Sequence, residues 1–410
     1  MLRSAHSRCA GGASAPPPGF RPARRAEARR RGGSPAPLAL LCLAAVPLAA
    51  YAQQITCAAG RCIQIIGGKA RVGAQLRVQA HGPVTLETGG PAGVLEYTAR
   101  VVVRARSEAE ARRLFERFAV RVAPEGSWYV LKTSTGLSAS LALKAPKLSA
   151  AEVFTSDGPV EANGIDGSLA VDSGAGPLKA DRVRGDCRLH TTGGDIRVGS
   201  VGGRLNATSG AGFITVRSVG GEAVLGTVGG DVTAQDAAGP VRAETGAGTV
   251  RVDRAGGAVT AITGGGQIWI GNARGLVTAH NMAGPVHIGS ALAVSCNSGA
   301  GRVDLGAIFG SIQVTTAMGS IVATLPGGKP SESYLATGNG DITVRIPSNV
   351  GVTIQAQNEM ADTLRRIVSD FPQILPHMQG TRVVAEGAVN GGGPLVRLSA
   401  AIGTIFIKRE

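Results

Sequence analysis

Glycine recurs every nine residues through the centre of the chain, and apolar residues keep fixed positions behind it. The period is unbroken from Gly158 to Gly284, one unit then loses a residue, and the phase resumes from Gly301 to Gly319. The second and fourth residues after the glycine are apolar, and the residue between them is mostly polar. This alternation is typical of a strand with one buried face. Each unit therefore predicts a turn followed by a short strand.

A second pattern, with twice this period, indicates how many strands make one coil. The seventh residue after the glycine is aliphatic in alternate units, as at Ile165, Val183 and Val201, whereas glycine often takes that position in the units between. The pattern favours an 18-residue coil with two strands, and a 27-residue coil with three strands is the alternative. Stacked coils would bury a column of small aliphatic side chains that no single unit can bury alone. We therefore predict an all-β fold, a parallel β-solenoid (β-helix) of nine-residue strand-turn units.

The segments on either side of the repeat depart from its period. Residues 53–150 contain strand-like runs and one helix signal, in which Ser107 is the N-cap and acidic residues follow in the first turn. We predict a small α/β lead-in or cap over 53–150 and the solenoid over 151–358. A C-terminal cap over 359–410 is expected to hold a short helix, at about 360–370, and closing strands. Such caps are expected because the end coils of a solenoid would otherwise expose their core.

The first 52 residues predict a signal peptide. An arginine-rich stretch precedes the apolar run 36–50, and the small residues Ala50 and Ala52 suit cleavage before Gln53. The run is shorter than the roughly 20 residues that span a bilayer, so a retained anchor is the less favoured alternative. A start codon downstream of Met1 is also left open. We predict an exported protein, periplasmic, cell-surface or secreted, with no transmembrane span after cleavage.

Charge and composition narrow the classes of partner. The formal net charge is +14, but residues 1–52 hold eight arginines against one glutamate, and the rest of the chain carries +7 with both signs interspersed. No basic run alternates with aromatic residues, so a nucleic-acid partner is not expected. The chain has 61 glycines and only 3% aromatic residues, which favours tight turns and small core side chains over an aromatic core.

Four cysteines lie beyond residue 52. Cys57 and Cys62 are close together in an exported segment, which favours a local disulfide, and a metal site is the alternative. Cys187 and Cys296 fall on inward positions of the repeat, roughly 30 Å apart along the stack, too far to pair. No histidine shows ligand spacing with them, so we predict no metal and no cofactor.

The repeat shows no convincing catalytic set. Parallel β-helices include polysaccharide lyases and hydrolases, which need two or three carboxylates converging on one face. Asp172 and Asp181 occupy the same position in neighbouring units, but an 18-residue coil would place neighbouring units on opposite sides. We predict no catalytic residues and keep a carbohydrate-active enzyme as the alternative function.

Trp269 is the only Phe, Tyr or Trp at the outward mid-strand position of a repeat unit, among threonines and arginines. Together with Arg242 and Arg251 it forms the predicted partner-contact surface. The expected partner is a cell-surface glycan, a matrix protein or an envelope protein. An ordinary surface tryptophan is the alternative interpretation.

Three stretches accompany the Gly-x-Val-x-Val units: residues 141–146 (LALKAP), 390–395 (NGGGPL) and 403–405 (GTI). Together they resemble the bacterial β-strand-repeat "putative adhesin" family, a domain of unknown function, over about residues 94–408. The resemblance implies an exported β-solenoid and supplies no catalytic residues. The combined expectation is a non-enzymatic exported protein, an adhesin or envelope scaffold that presents an extended binding surface.

Overall fold

A computed structural model describes residues 55–325, 331–360 and 364–410. The predicted signal peptide lies outside these residues. The regular secondary structure of the described chain is nearly all strand, and it forms a parallel β-solenoid of about 11 turns. The predicted fold class is confirmed.

Successive strands of the coils alternate between two sheets. The first sheet holds eighteen strands of the described residues, which are β1 (Ile55–Ala58), β2 (Arg61–Arg71), β4 (Val84–Thr88), β5 (Val94–Arg104), β8 (Ala139–Ala145), β10 (Val160–Asn163), β12 (Leu178–Asp181), β14 (Ile196–Val201), β16 (Ile214–Val219), β18 (Val232–Ala237), β20 (Val250–Ala255), β22 (Ile268–Ala273), β24 (Val286–Ala291), β26 (Val303–Ile308), β28 (Ile321–Thr324), β30 (Ile342–Ile346), β32 (Ile367–Ser369) and β36 (Ile405–Arg409). The second sheet also holds eighteen, which are β3 (Gln75–Ala80), β6 (Val120–Glu125), β7 (Trp128–Thr133), β9 (Ala150–Thr155), β11 (Ser168–Ser173), β13 (Cys187–Thr191), β15 (Leu205–Ser209), β17 (Ala223–Thr227), β19 (Val241–Thr245), β21 (Val259–Thr263), β23 (Leu276–Ala283), β25 (Ala293–Ala300), β27 (Ile312–Met318), β29 (Ser333–Asn339), β31 (Val352–Asn358), β33 (His377–Gln379), β34 (Arg382–Val389) and β35 (Leu395–Ile402).

The register fixes the coil at two strands. Val250 of β20 lies opposite Ile268 of β22, and Val241 of β19 lies opposite Val259 of β21, both in parallel pairs with an 18-residue offset. Val250 and Ile268 are fully buried, because side chains at alternate strand positions share one face. The alternative coil of three strands is excluded.

One inward column is polar, and the apolar pattern of the sequence does not reveal it. The hydroxyl of Thr245 donates to the carbonyl oxygen of Gly230 at 2.8 Å and accepts the N–H of Gly248 at 3.1 Å. One side chain thus satisfies backbone groups in two successive coils, as buried polar groups require. Equivalent buried positions hold Ser173, Thr191, Ser209, Thr227, Thr263, Asn281, Ser298, Thr316 and Thr337.

Both ends of the solenoid contain a coil that is inserted out of chain order. The coil of β3 and β4 lies between the coil of β7 and β8 and that of β9 and β10. At the other end, β35 and β36 lie between β29 and β30 on one side and β31 and β32 on the other. The coil stack therefore extends past both bounds of the predicted 151–358 segment. The period does not show this, because strands that neighbour each other here do not follow the 18-residue spacing.

Antiparallel strands and one helix close the ends. In the N-terminal cap, β5 pairs with both β8 and β2, and β1 pairs with β2. Helix α1 (Glu108–Phe115) follows β5, and its N-cap is Ser107, whose hydroxyl accepts the N–H of Glu110 at 3.2 Å. The predicted helix start is confirmed.

The predicted C-terminal helix at 360–370 is wrong for the residues that the structure describes there. Leu364–Arg366 form a single 3-10 turn, and Ile367–Ser369 form β32. Ile367 is buried and lies opposite Ile405 in the parallel ladder. Strand pairing and burial outweigh the helical tendency of so short a segment.

Candidate binding surfaces

Two of the three predicted contact residues lie side by side. Arg251 of β20 is opposite Trp269 of β22, on the outward face of the first sheet. Arg242 belongs to β19 in the second sheet. Grouping Arg242 with the other two was wrong, because it stands in the neighbouring nine-residue unit and neighbouring units lie on opposite sheets.

Arg251, Trp269 and His287 form a stack across three adjacent strands of the first sheet. The guanidinium carbon of Arg251 lies 3.9 Å from the centroid of the Trp269 ring, a cation–π contact. The ring of His287 is stacked on the other side, with the centroids 6.1 Å apart. Arg251 also pairs with Asp253, with Nε and Oδ1 2.8 Å apart. Both faces of the indole have neighbours, so Trp269 offers its edge, and not an open face, to a ligand.

The aspartates considered for catalysis do not converge. Asp172 lies in β11 of the second sheet and Asp181 in β12 of the first. The carboxylate of Asp181 accepts the backbone N–H of Ser200, one coil away, at 3.0 Å. The two carboxylates thus lie on opposite sheets of the solenoid.

Other aspartates also join successive coils. Asp231 accepts the backbone N–H of Thr249 at 2.7 Å. Asp186 accepts the N–H of Arg204 at 2.8 Å, and this hydrogen bond lowers the pKa of the Asp186 carboxyl. These carboxylates stabilise the stacking of one coil on the next.

A groove of about 420 Å³ crosses the outward face of the second sheet near its N-terminal end. The small side chain of Ala170 forms part of its floor, since it lies in register between Glu152 on one strand and Arg188 on the other. Asn206 continues the row after Arg188. Trp128, from β7 of the N-terminal cap, lines the groove at one end.

The charges in the groove are partly compensated. Arg77 pairs with Glu152, with Nε and Oε2 2.6 Å apart, and its guanidinium carbon lies 5.0 Å from the ring centroid of Trp128. At the rim, Arg204 pairs with Asp186 at 3.2 Å. Arg188 is exposed and has no ion-pair partner among the described residues. Its guanidinium group is therefore free to bind an acceptor on a ligand.

Sequence reasoning missed the groove. Its tryptophan comes from a strand outside the repeat, and the out-of-order coil of β3 and β4 lies between that strand and β9. The available signals were Ala170 and Val224, apolar residues at an outward position that is otherwise mostly polar.

The cysteines fall into two kinds. Cys57 and Cys62 form a disulfide that closes the hairpin of β1 and β2. Cys187 and Cys296 are free and buried in the core, and burial raises the pKa of each thiol to about 12. In the described ranges, no three His, Cys, Asp or Glu side chains are grouped so as to hold a metal ion.

Comparisons with known proteins give remote likenesses to solved structures. No protein-family profile matches the chain, and no curated protein matches it. A "putative adhesin" from Parabacteroides distasonis is 11% identical and is matched over 69% of this chain and 96% of its own, with a TM-score of 0.25. A "putative cell adhesion protein" from Clostridium sporogenes is 10% identical over 84% of this chain and 99% of its own (TM-score 0.17). A "putative adhesin" from Bacteroides fragilis is 15% identical over 68% of this chain and 96% of its own (TM-score 0.18). Likenesses with identities and TM-scores this low support no conclusion about what this chain binds or does.

No helix of the described residues has both the length and the apolar character that crossing a bilayer requires.

Proposed function

We propose that this protein is an exported, non-enzymatic, adhesin-like scaffold that binds a glycan chain across the groove of the second sheet. The observation that carries the proposal is the groove, which Trp128 lines at one end and which Arg188 and Asn206 line on the two strands that follow the strand of Ala170. The groove runs across the strands, so its polar groups are spaced by the strand separation of about 4.8 Å. An extended polymer suits such a row better than a compact ligand.

The side chains of the groove match the chemistry of a sugar. Sugar hydroxyl groups both donate and accept hydrogen bonds, Asn206 offers both roles, and Arg188 offers several donors in one plane. A tryptophan supplies an apolar surface for the C–H faces of a pyranose ring. These groups stand on strands of a rigid sheet, which lowers the entropy lost on binding.

The adhesin-like and exported parts of the proposal rest on other features. The signal-peptide pattern of residues 1–52 leads into the Cys57–Cys62 disulfide, which suits an oxidising compartment outside the cytoplasm. The coils hold long rows of outward polar side chains at fixed spacing, as a surface for contact requires.

The test is a glycan and matrix-protein array with the chain beginning at Gln53. Trp128→Ala and Arg188→Gln are each expected to weaken binding to the glycan by roughly tenfold. Arg188→Gln removes a hydrogen bond from a charged group, which contributes about 1.5 kcal/mol or more. Trp128→Ala removes the apolar surface for the C–H face of a sugar ring. Arg242→Gln is the matched control, because Arg242 lies on the same sheet and in the same outward column but outside the groove.

Two further results decide between the alternatives. If Trp269→Ala or Arg251→Gln abolishes binding and the groove variants do not, the stack on the first sheet is the contact surface. If the bound polysaccharide is shortened during incubation, with new chain ends detected, the protein is an enzyme and the non-enzymatic proposal is wrong.

A further inference from the structure

The outward face of β2 and β5, in the N-terminal cap, has an unusual composition. Three arginines alternate with three aliphatic residues in a compact block. In the antiparallel register, each residue of one strand lies opposite one of the other. We call this block the cap patch, and its cross-strand pairs are Arg61 with Arg104, Ile63 with Val102, and Ile65 with Arg100.

The aliphatic side chains of the cap patch are in contact with water. Ile65 is 52% exposed and Val102 is 44% exposed. Ile63, directly opposite Val102, is half-buried. Single exposed apolar residues are ordinary, but three adjacent ones on a sheet face mark a surface that is covered in use.

The guanidinium groups of the cap patch are available to a partner. All three are exposed, and their guanidinium groups have no hydrogen-bond or ion-pair partner among the described residues. Arg61 and Arg104 lie directly opposite each other, and like charges in this arrangement destabilise a sheet. In the repeat, by contrast, Arg254 lies opposite Asp236 and pairs with it at 3.2 Å.

The positive charge of the protein is concentrated at this end of the chain. Residues 55–150 carry 14 lysines and arginines against 6 aspartates and glutamates, whereas residues 151–410 carry 20 against 21. The formal charge of the N-terminal segment is therefore +8, and that of the remainder is −1. A field of one sign at one end favours an anionic partner.

We propose that the cap patch docks on an anionic lipid surface. The arginines would contact the phosphate groups, and Ile63, Ile65 and Val102 would enter the boundary between the headgroups and the acyl chains. Apolar burial and attraction to anionic lipids act together in such surface binding. A soluble polyanion would use the arginines but gain little from the aliphatic side chains.

The position of the cap patch in the chain agrees with this partner. β1, which pairs with β2 beside the patch, begins five residues after the apolar run 36–50 ends. The export signal would thus bring this end of the protein close to the membrane. The glycan groove is on the other sheet, so the proposal is independent of the proposed function, and the two surfaces do not compete.

The experiment measures binding of the chain beginning at Gln53, which keeps every described residue, to vesicles. Phosphatidylcholine vesicles are compared with vesicles that also contain phosphatidylglycerol, by flotation. We expect binding only to the anionic vesicles. The triple variant R61Q/R100Q/R104Q should lose on the order of 100-fold in partitioning, since each arginine near an anionic surface contributes about 1 kcal/mol.

A matched control removes the same charge from paired arginines. Arg204, Arg254 and Arg302 each have an aspartate partner, and changing all three to glutamine should alter binding by less than about threefold. The pair Ile65→Thr and Val102→Thr keeps the charge and the β-branched shape, and should weaken binding by roughly tenfold, since apolar burial adds about 25 cal/mol per Å².

Three results would overturn the proposal. One is equal loss of binding in the control triple, which would show a general effect of net charge. Another is unchanged binding of the Thr variants, together with full competition by soluble heparin, which would show a polyanion site. The third is a thermal midpoint of R61Q/R100Q/R104Q well below that of the parent, because removal of like-charge repulsion should leave stability equal or higher. Glycan binding in the array should be unaffected by every cap-patch variant.

Discussion

Single polar side chains in this solenoid form hydrogen bonds with backbone groups of the adjacent coil. The hydroxyl of Thr245 connects the backbone of two coils, and the carboxylate of Asp231 binds the N–H of Thr249 in the next coil. Because the hydroxyl bond of Thr245 recurs at Thr227 and Thr263, a single substitution disturbs this column at one level only. The loss in free energy of unfolding depends on whether the backbone groups that lose their hydrogen-bond partner are buried.

The inward hydroxyl column can be tested with Thr245→Val, which keeps the shape and removes both hydrogen bonds. Two buried backbone groups then lack a partner, so the free energy of unfolding should fall by about 1–3 kcal/mol. Urea unfolding monitored by circular dichroism measures it. The control is Thr260→Val on the outward face of the same sheet, where a change within about 0.5 kcal/mol is expected. Equal losses in the free energy of unfolding for Thr245→Val and Thr260→Val would contradict the assignment of the two buried hydrogen bonds to Thr245.

The buried thiols give a pH dependence with a definite sign. Burial raises the pKa of Cys187 and Cys296 from 9.0 to about 12. Below pH 9 the thiols are protonated in both states, and between pH 9 and 12 only the unfolded chain loses these protons. The stability contributed by the buried thiols should therefore fall as the pH rises through this window.

Reaction with Ellman's reagent checks the same thiols at pH 8. We expect no reaction in the folded protein and two thiols per chain in guanidinium chloride for the chain beginning at Gln53, since Cys57 and Cys62 are paired. Rapid labelling of the folded protein would show that the inward positions are open to solvent.

At the scale of elements, the turns are shaped by the coil beneath them. A Cβ atom on Gly266 would overlap the carbonyl oxygen of Gly248, one coil away. At the preceding residue, Gly265, the nearest atom to a Cβ would be 3.7 Å away. Stacking, and not only backbone freedom, therefore selects glycine at the repeat position.

This difference predicts unequal effects of the same substitution in one turn. Gly266→Ala should lower the free energy of unfolding by about 1–3 kcal/mol, because the coil must shift to relieve the overlap. Gly265→Ala should change it by less than about 0.5 kcal/mol. Chemical denaturation of the two variants in parallel gives the comparison. A larger loss for Gly265→Ala would contradict the stacking geometry.

The coils could be predicted from the sequence because their contacts are periodic in it. Val250 and Ile268 are neighbours in space and one 18-residue period apart in the chain, so the same position recurs coil after coil. The polar inward column was equally periodic, since Thr227, Thr245 and Thr263 follow one another at the same 18-residue spacing. The apolar pattern does not distinguish this column, because threonine also occupies outward positions such as Thr233 and Thr260.

The ends and the groove could not be predicted in this way. β35 lies between β29 and β31 although it follows both in the chain, and no local pattern encodes an insertion of that kind. The groove depends on the same effect, because Trp128 reaches it from a strand that the cap places beyond β3. When a coil is inserted out of chain order, the residues that it brings together have no regular spacing in the sequence. Their contact therefore cannot be predicted from the repeat.

At the scale of the whole molecule, the two sheets end in strands that are poor templates for further pairing. The outermost strands include β32 and β33, of three residues each, and β1, of four residues, which is closed by a disulfide. At the remaining end, β6 carries Pro124, which has no N–H to donate. Natural β-proteins use such features to prevent edge-to-edge aggregation. The solenoid is thereby limited in length, and its faces remain available for partners.

The most direct test of this account is the distance between spin labels placed at Glu161 and Arg251 in the otherwise unchanged protein. These outward residues of the first sheet lie five coils apart in one continuous register. With a strand separation of about 4.8 Å, the two-strand coil predicts a separation of about 24 Å. A three-strand coil of the same spacing would instead give about 16 Å along the axis. That shorter value, or a broad distribution without a dominant distance, would contradict the stacked 18-residue coil.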